Sequence, residues 1–205
     1  MSKADGRAVS ARQLRMKSET WSRLGGICAM LGGAFWVMKS VAILLTGIQP
    51  PLVFEIAPVL FAVGLIGLHA RFRGGGGLPA AIGRTLAGAS GGLAVLGLVY
   101  SPPNSTDESF SPAIFGAFLA NIAALILLGI ATRLTSAFPT RWSYLPLAMG
   151  VSTLPLMAVG GALESISERL LEIPLLVIAI AWIWAGYLIR ASQISVPGVA
   201  RGPTA

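Results

Sequence analysis

The chain has 205 residues, of which 55% are hydrophobic and only 11% are charged, and its mean hydropathy is +0.77. An average soluble domain carries about 25% charged residues, so an ordinary water-facing surface is excluded. Cys28 is the only cysteine and His69 the only histidine, which excludes an intrachain disulfide and bis-histidine haem ligation within one chain. We therefore expect no cofactor and no metal site. The net charge of +7 relates to membrane topology rather than to nucleic acid, and no nucleic-acid partner is expected.

The first apolar run follows a basic segment at residues 1–23, in an order that resembles the start of a signal peptide. The run extends from Leu24 to Gly47, which exceeds the roughly 7–15-residue core of a cleaved signal. We interpret it as a retained first helix.

Six apolar runs are long enough to cross about 30 Å of hydrocarbon at 1.5 Å per helical residue. They are Leu24–Gly47, Leu52–Ala70, Ala81–Tyr100, Pro112–Thr132, Trp142–Leu163 and Leu170–Ile189. The sequence thus predicts an all-α, polytopic membrane bundle with six transmembrane helices. Its expected organisation is a basic cytoplasmic N-terminal segment (1–23), a six-helix transmembrane domain (24–190) and a short cytoplasmic tail (191–205).

The distribution of lysine and arginine predicts the orientation of this bundle. Nearly all of them flank the same ends of the runs, in residues 1–23, 71–84, 133–141 and 190–201. Because cytoplasmic loops are enriched in basic residues, both termini are predicted to be cytoplasmic. The compact loops favour a bacterial inner (plasma) membrane.

A three-fold repeat of a helical hairpin would explain a recurring pattern at the ends of the even-numbered runs. Arginine follows glycine by four residues at Gly67–Arg71, Gly129–Arg133 and Gly186–Arg190. The alternative is that glycine is common in membrane helices and arginine marks every cytoplasmic end.

Lys39 is the most informative residue, because a lysine inside a membrane helix is costly and usually pairs or lines a cavity. Glu55, in the next helix near the same face, is its expected partner. Trp36, one helical turn earlier, could offer a cation–π contact. These residues are predicted to form a substrate or proton site, or else a structural ion pair. A further alternative is that Lys39 extends to the outer headgroups.

Asn121 lies near the middle of the fourth run, where an amide seeks a partner across the bundle or lines a polar path. Gly88-Ala89-Ser90-Gly91 resembles the Gly-x-Ser-Gly motif of rhomboid intramembrane proteases. That family uses a histidine on a later helix, and no histidine follows Ser90, so the spacing of Gly88 and Gly92 favours close helix packing instead.

Three classes of function follow from these features. The first is a small transporter or permeation protein, with Lys39, Glu55, Asn121 and Trp36 as its substrate-binding residues. The second is a non-catalytic membrane component that binds a protein or lipid partner through its basic surface. The third, a membrane enzyme, is disfavoured because no paired acids lie within the membrane. The lipid bilayer is the expected partner, the chain could form a homo-oligomer, and no catalytic residue is assigned.

Overall fold

The computed structural model describes residues 3–50, 53–72, 75–100 and 112–191, with backbone positions alone for residues 3–12, 14–15 and 53–55. These residues form six long helices and no strand. The helices are α1 (Lys3–Thr46), α2 (Val53–Ala70), α3 (Gly77–Tyr100), α4 (Pro112–Thr135), α5 (Leu145–Glu164) and α6 (Glu172–Ala191). Two short 3-10 helices, Thr140–Trp142 and Glu168–Leu171, precede α5 and α6.

Each of the six apolar runs lies mostly within one long helix, which confirms the all-α prediction. Five helices are long and apolar enough to cross a membrane, and the part of α2 whose side chains are described, Ile56–Ala70, is apolar but shorter. The N-terminal basic segment differs from a simple flanking tail, because α1 begins at Lys3 and continues through it without interruption.

Helix α1 lies between α2 and α6 and approaches both at glycine residues. A Cβ atom placed on Gly25 would lie 2.5 Å from the Cα of Gly67 in α2, and one placed on Gly26 would lie 2.8 Å from the carbonyl oxygen of Gly186 in α6. Real Cβ atoms do not tolerate such distances, so glycine is required for the backbones to approach this closely. Helices α2 and α6 therefore pack against α1 with their backbones in direct contact.

Helices α2 and α6 both run antiparallel to α1. Ser18 donates a hydrogen bond to the carbonyl of Ala70 at the end of α2, and Ser22 donates one to the carbonyl of Ile189 near the end of α6. We call this level of the bundle the basic end, because Arg71, Arg141 and Arg190 also lie where α2 and α6 end and α5 begins. The opposite end holds Gly47 and the 3-10 helix Glu168–Leu171.

The three glycines of the predicted hairpin repeat do not make equivalent contacts. Gly67 faces Gly25 in the preceding helix, Gly129 faces Leu147 in the following helix, and Gly186 faces Gly26 in α1. The packing of these glycines therefore does not follow a three-fold pattern, and the repeat stays a prediction from sequence.

Candidate functional site

Lys39 forms a buried ion pair with the first residue of α6. Its Nζ atom lies 2.7 Å from Oε1 of Glu172, and only 5% of Lys39 and 3% of Glu172 is exposed. The fully buried Ser40 donates a hydrogen bond of 2.8 Å to the other carboxylate oxygen, Oε2. Both oxygens of Glu172 are therefore engaged by two consecutive residues of α1.

The position of Glu172 in its helix also favours a carboxylate. It is the first residue of α6, where the helix dipole favours negative charge. Pro174 follows two residues later and donates no backbone hydrogen bond, which costs nothing in the first turn of a helix. The first turn of α6 therefore favours the carboxylate that pairs with Lys39.

The expected partner, Glu55, lies in the first turn of α2, but its side chain is outside the described residues. The pairing of Lys39 with Glu55 therefore stays a prediction beside the observed pair with Glu172. Sequence reasoning did not identify Glu172 as the partner of Lys39, and the only sequence signal for the pairing is that Glu172 begins an apolar helix at the same predicted face as Lys39.

A cavity of about 200 Å³ lies beside this ion pair, and we name it the Asn121 cavity. It is lined by residues of α1, α2, α4, α5 and α6 together with Leu171 of the 3-10 helix. The lining includes three of the four predicted site residues, which are Trp36, Lys39 and Asn121. These residues are separated by up to 85 positions in sequence, and the fold brings them to one cavity.

Asn121 is the polar group of the cavity whose hydrogen bonding is incomplete. The residue is 9% exposed, and its buried Nδ2 atom has no hydrogen-bond acceptor among the described residues. Buried polar groups are nearly always paired, because leaving one unpaired costs about 1–3 kcal/mol. Because Asn121 lines the cavity, its amide is the candidate hydrogen-bond donor to a molecule inside it.

Aromatic rings form another part of the cavity wall. Phe61 stacks on Trp182 with ring centroids 4.3 Å apart and an interplanar angle of 16°. Trp36 meets Phe61 edge-on at 5.1 Å. The predicted cation–π contact of Trp36 with Lys39 stays a prediction. This rigid aromatic wall suits a flat, apolar molecule.

Ser90 is a packing residue and not part of this cavity. Its fully buried hydroxyl donates a hydrogen bond of 2.9 Å to the carbonyl of Ala117, which joins α3 to α4. Cβ atoms added to Gly88 or Gly92 would meet nothing within 4 Å. The close packing expected of these two glycines therefore does not occur between helices of the described chain.

The all-helical, apolar architecture is consistent with an integral membrane protein. No protein-family model, curated protein or solved structure matches the chain. Among the described residues, no group of three or more histidine, cysteine, aspartate or glutamate side chains is placed to hold a metal ion. The Asn121 cavity is thus the feature from which a function can be argued.

Proposed function

We propose that this protein is a small membrane transporter that binds a largely apolar, neutral solute in the Asn121 cavity. The observation that carries the proposal is Asn121, a residue that lines the cavity and whose buried Nδ2 atom has no acceptor among the described residues. A solute with a carbonyl or similar acceptor would complete that hydrogen bond.

The size and wall of the cavity narrow the class of solute. An apolar cavity of about 150 Å³ in another protein binds benzene, so the volume of about 200 Å³ suits a single ring with a small polar substituent. The charges of Lys39 and Glu172 already neutralise each other at 2.7 Å. A solute therefore needs no charge of its own, and single-ring amides and ketones are the class we favour.

The proposal includes six membrane spans in a bacterial inner membrane, with both termini on its cytoplasmic side. The side-by-side packing of α2 and α1 supports a crossing by α2, since contacts run from Ala70 at the level of Ser18 to Phe61 at the level of Gly32. The clustering of arginines at one end supports the orientation.

Cysteine accessibility tests this topology, because removing Cys28 leaves a chain without cysteine. In a Cys28→Ser background, Ser136→Cys and Ser165→Cys each place one thiol at an exposed position at opposite ends of the bundle. We expect a membrane-impermeant maleimide added outside cells to label the second variant and not the first. Labelling of both from the same side would contradict the topology.

We propose that movement of helix α5 opens the cavity. Pro155 lies inside this helix and donates no backbone hydrogen bond, and its neighbours Thr153 and Met157 line the cavity. Transporter binding sites are commonly built at interrupted helices near the middle of the membrane. Movement of α5 about Pro155 would connect the cavity to the solution.

Binding is tested first, with the fluorescence of Trp36 and Trp182 as the signal. Nicotinamide and benzamide are probes that carry an acceptor, and toluene is the ring without one. We expect the amides to change the fluorescence of the purified protein, and Asn121→Leu to weaken that binding about tenfold while leaving toluene unaffected. Ser152→Ala, an exposed hydroxyl on α5, is the matched control. Equal binding by Asn121→Leu and wild type would contradict the site.

Transport is tested separately, by uptake of labelled nicotinamide into proteoliposomes above the rate of protein-free liposomes. Uptake that falls in Asn121→Leu supports a transporter. Amide binding without any protein-dependent uptake would instead favour the second candidate, a non-catalytic membrane component. The observation that favours this second candidate is a cavity at the basic end that is lined by Arg71 and Arg141, since basic residues beside a membrane attract anionic lipids.

A further inference from the structure

Among the described residues that line the Asn121 cavity, Thr153 is the one that carries a hydroxyl group. It lies on α5, and only 3% of it is exposed. Its Oγ1 atom donates a hydrogen bond of 2.6 Å to the carbonyl of Met149, one turn earlier in the same helix. A hydroxyl group has a single hydrogen and two lone pairs. Because the bond to Met149 uses the hydrogen, the oxygen of Thr153 can act toward a ligand only as an acceptor.

Helices α4 and α5, which carry Asn121 and Thr153, pack against each other in antiparallel directions. Gly129 near the end of α4 faces Leu147 near the start of α5. A Cβ atom placed on Gly150, three residues further along α5, would lie 2.9 Å from the backbone nitrogen of Ile126, three residues back along α4. The two contacts fix the register of this helix pair.

This register places Thr153 and Asn121 at nearly the same depth in the bundle. Three residues beyond Gly150 on α5 is Thr153, and three residues before Ile126 on α4 is Ala123. Asn121 is two residues from Ala123, which is about 3 Å along the helix axis at 1.5 Å per residue. The two polar residues therefore lie side by side on neighbouring helices that both line the cavity.

The other polar side chains of the wall differ from Thr153 in their hydrogen-bonding capacity. Lys39 and Trp36 carry N–H donors and no acceptor. Asn121 carries the buried Nδ2 donor that has no acceptor among the described residues. A ligand carbonyl and a ligand N–H group thus have separate candidate partners, which are Nδ2 of Asn121 and Oγ1 of Thr153.

We infer that Thr153 makes the Asn121 cavity specific for carboxamides, by accepting a hydrogen bond from the N–H group of a solute whose carbonyl accepts one from Asn121. The inference rests on the proposed binding of a neutral, single-ring solute, and it narrows the solute class from amides and ketones to amides. A carboxamide carries its carbonyl oxygen and its nitrogen on the same carbon atom, which suits a donor and an acceptor on adjacent helices. In a ketone of the same shape, a methyl group replaces the nitrogen and the hydrogen bond to Thr153 is lost.

Benzamide and acetophenone are the ligand pair that tests the inference, because they share a ring and a carbonyl and differ in an amide nitrogen against a methyl group. Dissociation constants of both are measured from the tryptophan fluorescence of the purified protein. The quantity compared between variants is the ratio of the two constants, since the different hydration of the two ligands cancels in that comparison. Thr153→Val replaces the hydroxyl by a methyl group of similar size. We expect it to weaken benzamide about fivefold and to change acetophenone by less than about twofold.

Two further variants separate the hydroxyl of Thr153 from its packing. Thr153→Ser keeps a hydroxyl and should keep the wild-type ratio. Thr132→Val is the matched control, because Thr132 is also fully buried and its hydroxyl also donates to a carbonyl four residues earlier, that of Leu128. Thr132 does not line the cavity, so its substitution should leave the binding of both ligands unchanged.

Asn121→Leu distinguishes failure of this inference from failure of the proposed site. We expect it to weaken both ligands, since both carry a carbonyl. If it does so while Thr153→Val weakens neither ligand, or weakens both equally, the inference is overturned and the proposed site remains. A selective loss of benzamide in Asn121→Leu, with the wild-type ratio in Thr153→Val, would assign the N–H group to the side-chain oxygen of Asn121 and also overturn the inference. If the wild type binds neither ligand, the proposed site and the inference both fail.

Discussion

Lys39 and Glu172, 133 positions apart in sequence, form a buried ion pair with 2.7 Å between Nζ and Oε1. The pair links the C-terminal part of α1 to the start of α6, and its lysine lines the Asn121 cavity. Removing one charge from such a pair leaves the other buried and uncompensated, whereas replacing both is often nearly neutral. Comparing the single variant with the double variant therefore distinguishes a structural ion pair from a lysine that binds a ligand.

Lys39→Met is therefore expected to lower the free energy of unfolding by about 3–5 kcal/mol. The double variant Lys39→Met with Glu172→Gln should recover most of that loss, because the neutral amide can still accept the hydrogen bond from Ser40. Thermal unfolding in detergent, followed by circular dichroism, measures both. Lys17→Met, on the exposed part of the same helix, is the control and should change stability by less than about 0.5 kcal/mol. A double variant as unstable as the single one would contradict the neutral-pair argument.

Asn121→Leu is expected to leave the protein at least as stable as the wild type. The buried Nδ2 atom has no acceptor among the described residues, so the substitution breaks no hydrogen bond of that atom and removes a desolvation penalty of about 1–3 kcal/mol. Stability without ligand is compared by thermal unfolding of the two proteins. A loss greater than about 1 kcal/mol would mean that Asn121 has an essential role in packing.

Gly186→Ala is expected to destabilise the bundle by about 1–3 kcal/mol through overpacking. The new Cβ would lie 2.6 Å from the carbonyl oxygen of Gly26 and 2.7 Å from the backbone nitrogen of Met30, and neither backbone atom can move independently. Gly88→Ala is the matched control, since its Cβ would meet nothing within 4 Å. In the control, the higher helix propensity of alanine should stabilise by about 0.5–1 kcal/mol. The melting temperatures of both variants are compared with that of the wild type. Shifts of the same sign would argue against the close backbone contact between α1 and α6.

Ser90→Ala is expected to cost about 0.5–1.5 kcal/mol of stability, through loss of the hydrogen bond from Ser90 to Ala117. Amide binding should be unchanged, because Ser90 does not line the Asn121 cavity. Thr85→Ala is the control, as its exposed hydroxyl bonds only to Ala81 within its own helix. Loss of function with unchanged stability would instead support a chemical role for Ser90.

The sequence predicted the residues of the Asn121 cavity better than their partners. Lys39 and Asn121 are conspicuous because a polar side chain within an apolar helix is energetically costly and usually has a partner or a function. Trp36 follows from its helical spacing to Lys39. Glu172 was missed, because proximity along the chain favoured Glu55, and nothing local indicates that α6 packs against α1.

Close approaches between helices were also beyond sequence reasoning. The glycines that permit backbone contact, such as Gly26 and Gly186, look in sequence the same as Gly88 and Gly92, which face open space. The spacing of small residues permits a contact but does not name the partner. The cavity lined by Arg71 and Arg141 illustrates the same limit, since its walls come from three helix ends and a connection.

By itself, the sequence determined the membrane-type helices and their basic ends. Lipid leaves unpaired backbone groups no hydrogen-bond partner, so each long apolar run must become a helix whatever its neighbours are. The tertiary structure alone decided which helices meet, that Glu172 pairs with Lys39, and that Asn121 lines a cavity with Trp36. Those outcomes depend on backbone distances and on burial shared among several helices, which no single segment encodes.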